Sequence, residues 1–148
     1  MPNSREFAHL IPHAGLMCLL DQVVTFDDDT ILCRTGSHRS PENPLKRLNR
    51  LSSLTAVEYA AQTMAVHGAL LAQRQNHRLP QGVIASLRDA VFHLDRLDDL
   101  ESDLLIRAHC ILTQSHAMVY DCEIQSGTQP VFSGTIGVFF SISGGESS

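Results

Sequence analysis

The sequence predicts an α+β domain, a mostly antiparallel sheet of about six strands wrapped around one long central helix. The segment from Leu51 to about Gln75 is long, and apolar around most of its girth, which marks a helix buried in a core. The last third of the chain alternates with a period of two over successive segments, the pattern of half-buried strands. In chain order the elements read β-β-α-β-β-β-β, leaving a single helix to cover one face of a single sheet.

Taken in order, residues 8 to 16 read as a short helix or turn carrying Ile11-Pro12-His13. Met17 to Phe26 is mostly apolar and becomes β-branched toward its end, a first strand. Asp27-Asp28-Asp29 turns the chain, and Thr30 to Gly36 returns as a second strand. Residues 37 to 50 are polar and basic with Pro41 and Pro44, so they form a loop. Ser52 or Ser53 is placed to cap the helix. Within it Leu54, Val57, Ala61, Met64, Ala65, Gly68 and Leu71 cover one side, and Ala56, Ala60, Val66 and Leu70 extend the apolar surface. Asn76 to Gln81, with Pro80, ends it, and Gly82 to Leu94 is the third strand.

The fourth strand carries Leu104, Ile106, Ala108, Cys110 and Leu112 on one parity, against Arg107, His109 and Thr113. The fifth sets Met118, Tyr120, Cys122 and Ile124 against Asp121, Glu123 and Gln125. Ser126-Gly127 turns it into a sixth, with Phe132, Ile136, Val138, Phe140 and Ile142 on one parity. One domain over 1–143 and a fraying tail over 144–148 follow. One helix cannot cover every edge of such a sheet, so dimerisation that extends the sheet is expected.

The 148 residues are 43% hydrophobic and 18% charged, as in one ordinary globular domain. A formal net charge of -5, no Trp and 5% aromatics argue against nucleic-acid binding. No signal peptide and no membrane span is legible. The scattered Cys18, Cys33, Cys110 and Cys122 read as reduced thiols of a cytoplasmic protein. The motifs that would bind zinc, cradle a phosphate or present a serine nucleophile are missing, so no metal or cofactor is expected.

Two residues stand out. Glu58 lies about two turns into the helix among Leu51, Leu54, Ala65 and Ala69, with Gln62 one turn on. A charged, unpaired carboxylate is costly on an apolar face, and a carboxyl that keeps its proton near neutrality is what a general acid needs. The alternative is a helix-edge Glu that reaches solvent or closes a cap. His38 sits in the loop before the helix and could pair with Glu58 as base, or be a solvated loop histidine. His67 falls on the opposite side of the helix, a structural position. Residues 34 to 50 hold Arg34, Arg39, Lys46, Arg47 and Arg50, five of the eleven Lys and Arg, with Glu42 the one acid. A basic rim on an acidic chain suits an anionic partner, or is simply a solvated loop.

Several motifs resemble those of bacterial 3-hydroxyacyl-[acyl-carrier-protein] dehydratases. Ile11-Pro12-His13, then Met17, Leu19-Leu20-Asp21 and Val23, resembles their opening, and Glu58-Tyr59-Ala60-Ala61-Gln62 their Glu-x-x-x-Gln helix signature. The segments from His38 to Leu45, Glu58 to Gln62 and Ala65 to Gly68, with Arg88-Asp89 and Leu94 to Leu97, are similar to the aryl-polyene biosynthesis branch. The resemblance implies a hotdog fold, with subunits that join their sheets. It further implies dehydration of a 3-hydroxyacyl thioester on acyl-carrier protein to the trans-2-enoyl product. Glu58 would be the acid and His38 the base, meeting across the dimer interface. Gln62 would hold Glu58, the amide near Ser53 would polarise the thioester carbonyl, and Asn43 would line the substrate. Arg39, Lys46, Arg47 and Arg50 would meet the carrier. Leu51-Ser52-Ser53 stands where that family has Met-Pro-Gly, and the spacing from His38 to Glu58 is about six residues longer. Two alternatives remain: a hotdog thioesterase, and a non-catalytic subunit that pairs with an active dehydratase as a heterodimer.

Overall fold

A computed structural model describes residues 18–76 and 82–140. Six strands form one antiparallel sheet: β1 (Gln22–Phe26), β2 (Thr30–Thr35), β3 (Gly82–Phe92), β4 (Leu104–Thr113), β5 (Ala117–Ser126) and β6 (Gln129–Phe140). Their order across the sheet is β1-β2-β4-β5-β6-β3, so β1 and β3 are its edges. Helix α1 (Ala56–Arg74) lies over β2, β4 and β5 and reaches the near side of β6. The expected class and element order are both borne out. The segment 8 to 16, the start of the first strand at Met17, residue Ile142 and the tail lie outside the described residues.

The period of two sorts β5 and β6 cleanly. Met118, Tyr120, Cys122 and Ile124 are buried against the helix, as are Phe132, Ile136 and Val138. In β4 the parity holds through Leu104, Ile106 and Ala108, then a bulge between Cys110 and Leu112 shifts the register. Leu112, expected inside, is consequently 45% exposed. The turn after β5 is a two-residue loop in which Gly127 takes φ +59, a backbone region that favours glycine. The first strand is shorter than expected: residues 18–21 stay outside the sheet.

The helix corrects one expectation. Its covered side is Ala56, Tyr59, Ala60, Thr63, Met64, Val66, His67 and Leu70. The side of Val57, Glu58, Ala61, Ala65 and Gly68 is half-buried, and Leu54 is 66% exposed. A girth that is apolar all round has met a sheet on one side, and among the described residues its other apolar side is only half covered.

Candidate active site

The helix start is held as a short ribbon against residues 95–97. Ser53 N–H donates to the Asp95 carbonyl (3.0 Å), Leu97 N–H to the Leu51 carbonyl (2.8 Å), and Leu51 N–H to Asp98 Oδ1 (2.9 Å). Arg96 Nε donates to the same Asp98 carboxylate at 3.0 Å. That guanidinium hydrogen bond holds the Asp98 carboxyl well below the usual carboxylate range. Ser52 caps the helical entry, its Oγ accepting from Leu54 N–H at 3.2 Å. A single 3-10 turn, Ser53–Thr55, precedes α1.

Glu58 lies in the first turn of α1, half-buried, and no hydrogen bond or ion pair engages it among the described residues.

His38 is fully buried in a 3-10 turn, Ser37–Arg39. Its Nε2 donates to the Leu100 carbonyl at 3.1 Å, which leaves Nδ1 as the nitrogen with the lone pair. Nδ1 is buried and has no hydrogen-bond partner among the described residues. Burial pushes the imidazole below its ordinary pKa, against the upward pull of the Leu100 carbonyl, so the ring is a neutral base near neutrality. Within the chain no hydrogen bond joins His38 to Glu58.

What holds the His38 turn is Tyr59, a residue to which the sequence reading assigned no role. Its hydroxyl meets Ser37 Oγ at 2.8 Å and accepts from Asn43 Nδ2 at 3.1 Å. Asn43 is an organiser of this loop: Nδ2 also donates to the Ser37 carbonyl, and Oδ1 accepts from Leu45 N–H. The Leu19 peptide is the second anchor. Its carbonyl accepts from Thr35 Oγ1 and Ser37 Oγ, both at 2.6 Å, and its N–H donates to Gln62 Oε1 at 2.9 Å. Gln62, one helical turn beyond Glu58, therefore ties the segment before β1 to the helix. The phenol of Tyr59 is pushed up by its burial and stays protonated.

The basic residues divide. Arg39 pairs with Asp103 at 2.5 Å and donates to the Glu101 carbonyl. Arg47 and Arg50 are exposed, Lys46 is half-buried, and among the described residues no ion pair holds these three. Arg50 lines a cleft of about 390 Å³ with Leu94, Asp95, Arg96, Asp99 and Leu100, the loop whose carbonyls hold Ser53 and His38. Among the described residues no cluster could hold a metal, and no helix is long and apolar enough to cross a membrane.

A single antiparallel sheet wrapped around one long helix defines a hotdog fold. More narrowly, residues 5–143 match the model of the ApeP-like family, described as ApeP dehydratase, and the chain belongs to that family. The solved dehydratase heterocomplex ApeI:P from Xenorhabdus doucetiae is similar in fold, with a TM-score of 0.84 at 18% identity, covering 95% of this chain and 92% of that one. Thioesterase HI1161 from Haemophilus influenzae follows at 0.61 and 14%, with 94% and 90% covered. A hypothetical thioesterase with coenzyme A from Streptococcus pneumoniae gives 0.57 and 15%, with 81% and 84% covered. No curated protein sequence matches the chain.

Proposed function

We propose that this chain is a subunit of a hotdog dehydratase that removes water from 3-hydroxyacyl thioesters on acyl-carrier protein, giving trans-2-enoyl thioesters. The observation that carries the reading is the pair of unengaged groups. Among the described residues Glu58 is half-buried without a partner, and His38 has an unpartnered Nδ1 in a turn that Tyr59 and the Leu19 peptide hold.

In the proposed step the His38 Nδ1 lone pair takes the C2 proton. The electrons of that C–H bond form the C2=C3 double bond, and the C3 hydroxyl leaves as water with the proton of Glu58. The leaving proton is restored to Glu58 as His38 releases the one it took, through water. Negative charge grows on the thioester oxygen, where a helix N-terminus stabilises it. Ser53 N–H is committed to Asp95, which leaves the Leu54 N–H as donor, since its partner is the exposed Ser52 hydroxyl. Glu58, Ala61, Ala65 and Gly68 share the open helix side, and the small residues leave room for an acyl chain beside the acid. His38 and Glu58 of one chain are not bonded to each other, which favours a site completed by a second subunit. Lys46, Arg47 and Arg50, which no ion pair holds among the described residues, would receive the carrier protein, whereas Arg39 is tied to Asp103.

The committed Ser53 amide favours a second form of the same reading, in which this chain pairs with a different, catalytic hotdog subunit, as the heterocomplex found for the similar ApeI:P structure allows. Mass spectrometry of a 3-hydroxyacyl-carrier protein incubated with the purified protein separates the cases. Loss of one water, abolished by Glu58→Gln and by His38→Ala, is expected. Release of free carrier would replace dehydration with thioester hydrolysis. Water loss that requires an added second subunit and survives both substitutions would make this chain the non-catalytic partner.

A further inference from the structure

Between β2 and α1 the chain makes a turn whose backbone and side chain are at odds. Arg47 and Arg50 exchange both backbone hydrogen bonds, at 2.8 and 2.9 Å, closing a two-residue loop. The two central residues, Leu48 and Asn49, have φ of 52° and 62°. Positive φ at both positions is the signature of a type I′ turn, which favours Asn, Asp and Gly because the left-handed region crowds a Cβ. Asn49 suits its place and Leu48 does not. Nor does Leu48 gain contacts in return, because it is 100% exposed. A strained leucine held into solvent, flanked by exposed Arg47 and Arg50 with Lys46 beside them, is a knob with a cationic collar.

We propose that Leu48 is the apolar anchor of a docking finger for the acidic carrier protein that delivers the acyl thioester, an inference that rests on the dehydratase reading. The collar selects an acidic surface, and no ion pair among the described residues competes for its charges. The anchor selects an apolar notch in that surface, where one buried aliphatic side chain can dominate binding. Position favours the carrier over a second subunit. The finger runs straight into the helix start, since Arg50 precedes Leu51, and Arg50 lines the cleft beside the Ser53 and His38 supports. A carrier seated there places its acyl arm at the mouth of the candidate site.

The test titrates fluorescently labelled acyl-carrier protein into the full-length protein, wild type and variants, and reads Kd. Leu48→Gly is the informative change, because glycine fits a type I′ turn and keeps the finger folded while deleting the anchor. The expected result is a Kd raised about tenfold or more with a thermal midpoint that does not fall. Arg47→Glu with Arg50→Glu is expected to weaken binding further and to flatten its salt dependence. An unchanged Kd for Leu48→Gly overturns the proposal. So does loss of subunit association by sedimentation with the carrier Kd intact, which would assign Leu48 to a subunit contact. Wild-type turnover of a short pantetheine thioester, measured alongside, reports on the chemistry separately. Leu48-dependent carrier binding without any turnover, either alone or with a second hotdog subunit added, would sustain the finger and sink the dehydratase reading.

Discussion

Tyr59 follows Glu58 in sequence and controls the other candidate group. Its hydroxyl is the bond between the helix and the turn that carries His38, through Ser37 and Asn43. Tyr59→Phe keeps the buried ring and removes that bond. Ser37 Oγ still reaches the Leu19 carbonyl and Asn43 Nδ2 still reaches the Ser37 carbonyl, so the stability loss is expected to be modest, about 1 kcal/mol. The effect on turnover is expected to be larger, because a base displaced by a fraction of an ångström loses its alignment. Steady-state kinetics should show kcat reduced by about tenfold or more with little change in KM. Equal loss in both, or none, would remove Tyr59 from the positioning of His38. At this scale the sequence motif exposes Glu58 and His38 as candidates. It hides what fixes them, because the Leu100 carbonyl lies 62 positions from His38 and backbone carbonyls leave no trace in residue identity.

At the scale of elements, α1 is locked to the sheet by a polar contact inside the core. His67 Nε2 donates to the Asp27 carbonyl at 2.7 Å, and Nδ1 accepts from the Tyr120 hydroxyl at 2.6 Å. The ring also stands edge-on to Phe26 and Tyr120. Its expected structural role is thus borne out, with the helix, the β1–β2 turn and β5 meeting at one neutral imidazole. Burial lowers the His67 pKa below 6.5, against the pull of the Asp27 carbonyl and the charges of Asp27 and Asp29, with Arg74 adding to the lowering. His38 is lowered in the same direction by its burial. For such groups the unfolded chain takes up protons first as pH falls. Stability is therefore full above the ordinary value of 6.5 and declines below it, down to the folded-state pKa values. Urea unfolding at about pH 7.5 and about pH 5.5, a window above most carboxylate titrations, should give lower stability at the acid end. His67→Gln, which can donate to Asp27 and accept from Tyr120, should reduce that difference while lowering stability at both pH values through imperfect packing. A wild-type stability that is flat or rising toward the acid end would refute the assignment.

The element order was legible because burial imposes a period of two on β5 and β6 and apolar girth on α1, and both survive in composition. The β4 bulge was not legible. It inserts one residue into a run of apolar positions, and Cys110, Ile111 and Leu112 read the same in either register. Which side of α1 meets the sheet was equally hidden, since alanines and leucines lie on both, and the decision falls to His67 and Tyr59 finding polar partners in the core.

For the molecule as a whole, β3 is the unfinished part. It is eleven residues long, pairs with β6 on one side and, among the described residues, has no strand on the other. Val83, Ile84, Leu87 and Val91 are 65%, 43%, 40% and 47% exposed along it. Bulges at Ile84/Ser86 and at Arg88/Val91 twist this edge and Arg88 and Asp89 place charges in its middle, but the apolar residues on either side stay exposed, and α1 stops short of covering its inner face. A largely apolar edge of this length invites a second strand, and the side of α1 carrying Glu58 is only half covered by the described residues. Sheet extension through β3 would thus bury the edge and close the candidate site in one event, whether the second subunit is a copy of this chain or a different hotdog chain. Lysine on an edge strand opposes such pairing without removing the fold that β6 supports. Leu87→Lys with Val91→Lys is expected to leave the far-UV spectrum native while converting the assembly to single chains in sedimentation velocity. Water loss from the carrier-borne substrate should fall by about a hundredfold or more, the scale of losing one member of an acid–base pair. Single chains that remain fully active would show that His38 and Glu58 meet within one subunit. An assembly that persists through both substitutions would place the subunit contact on another surface.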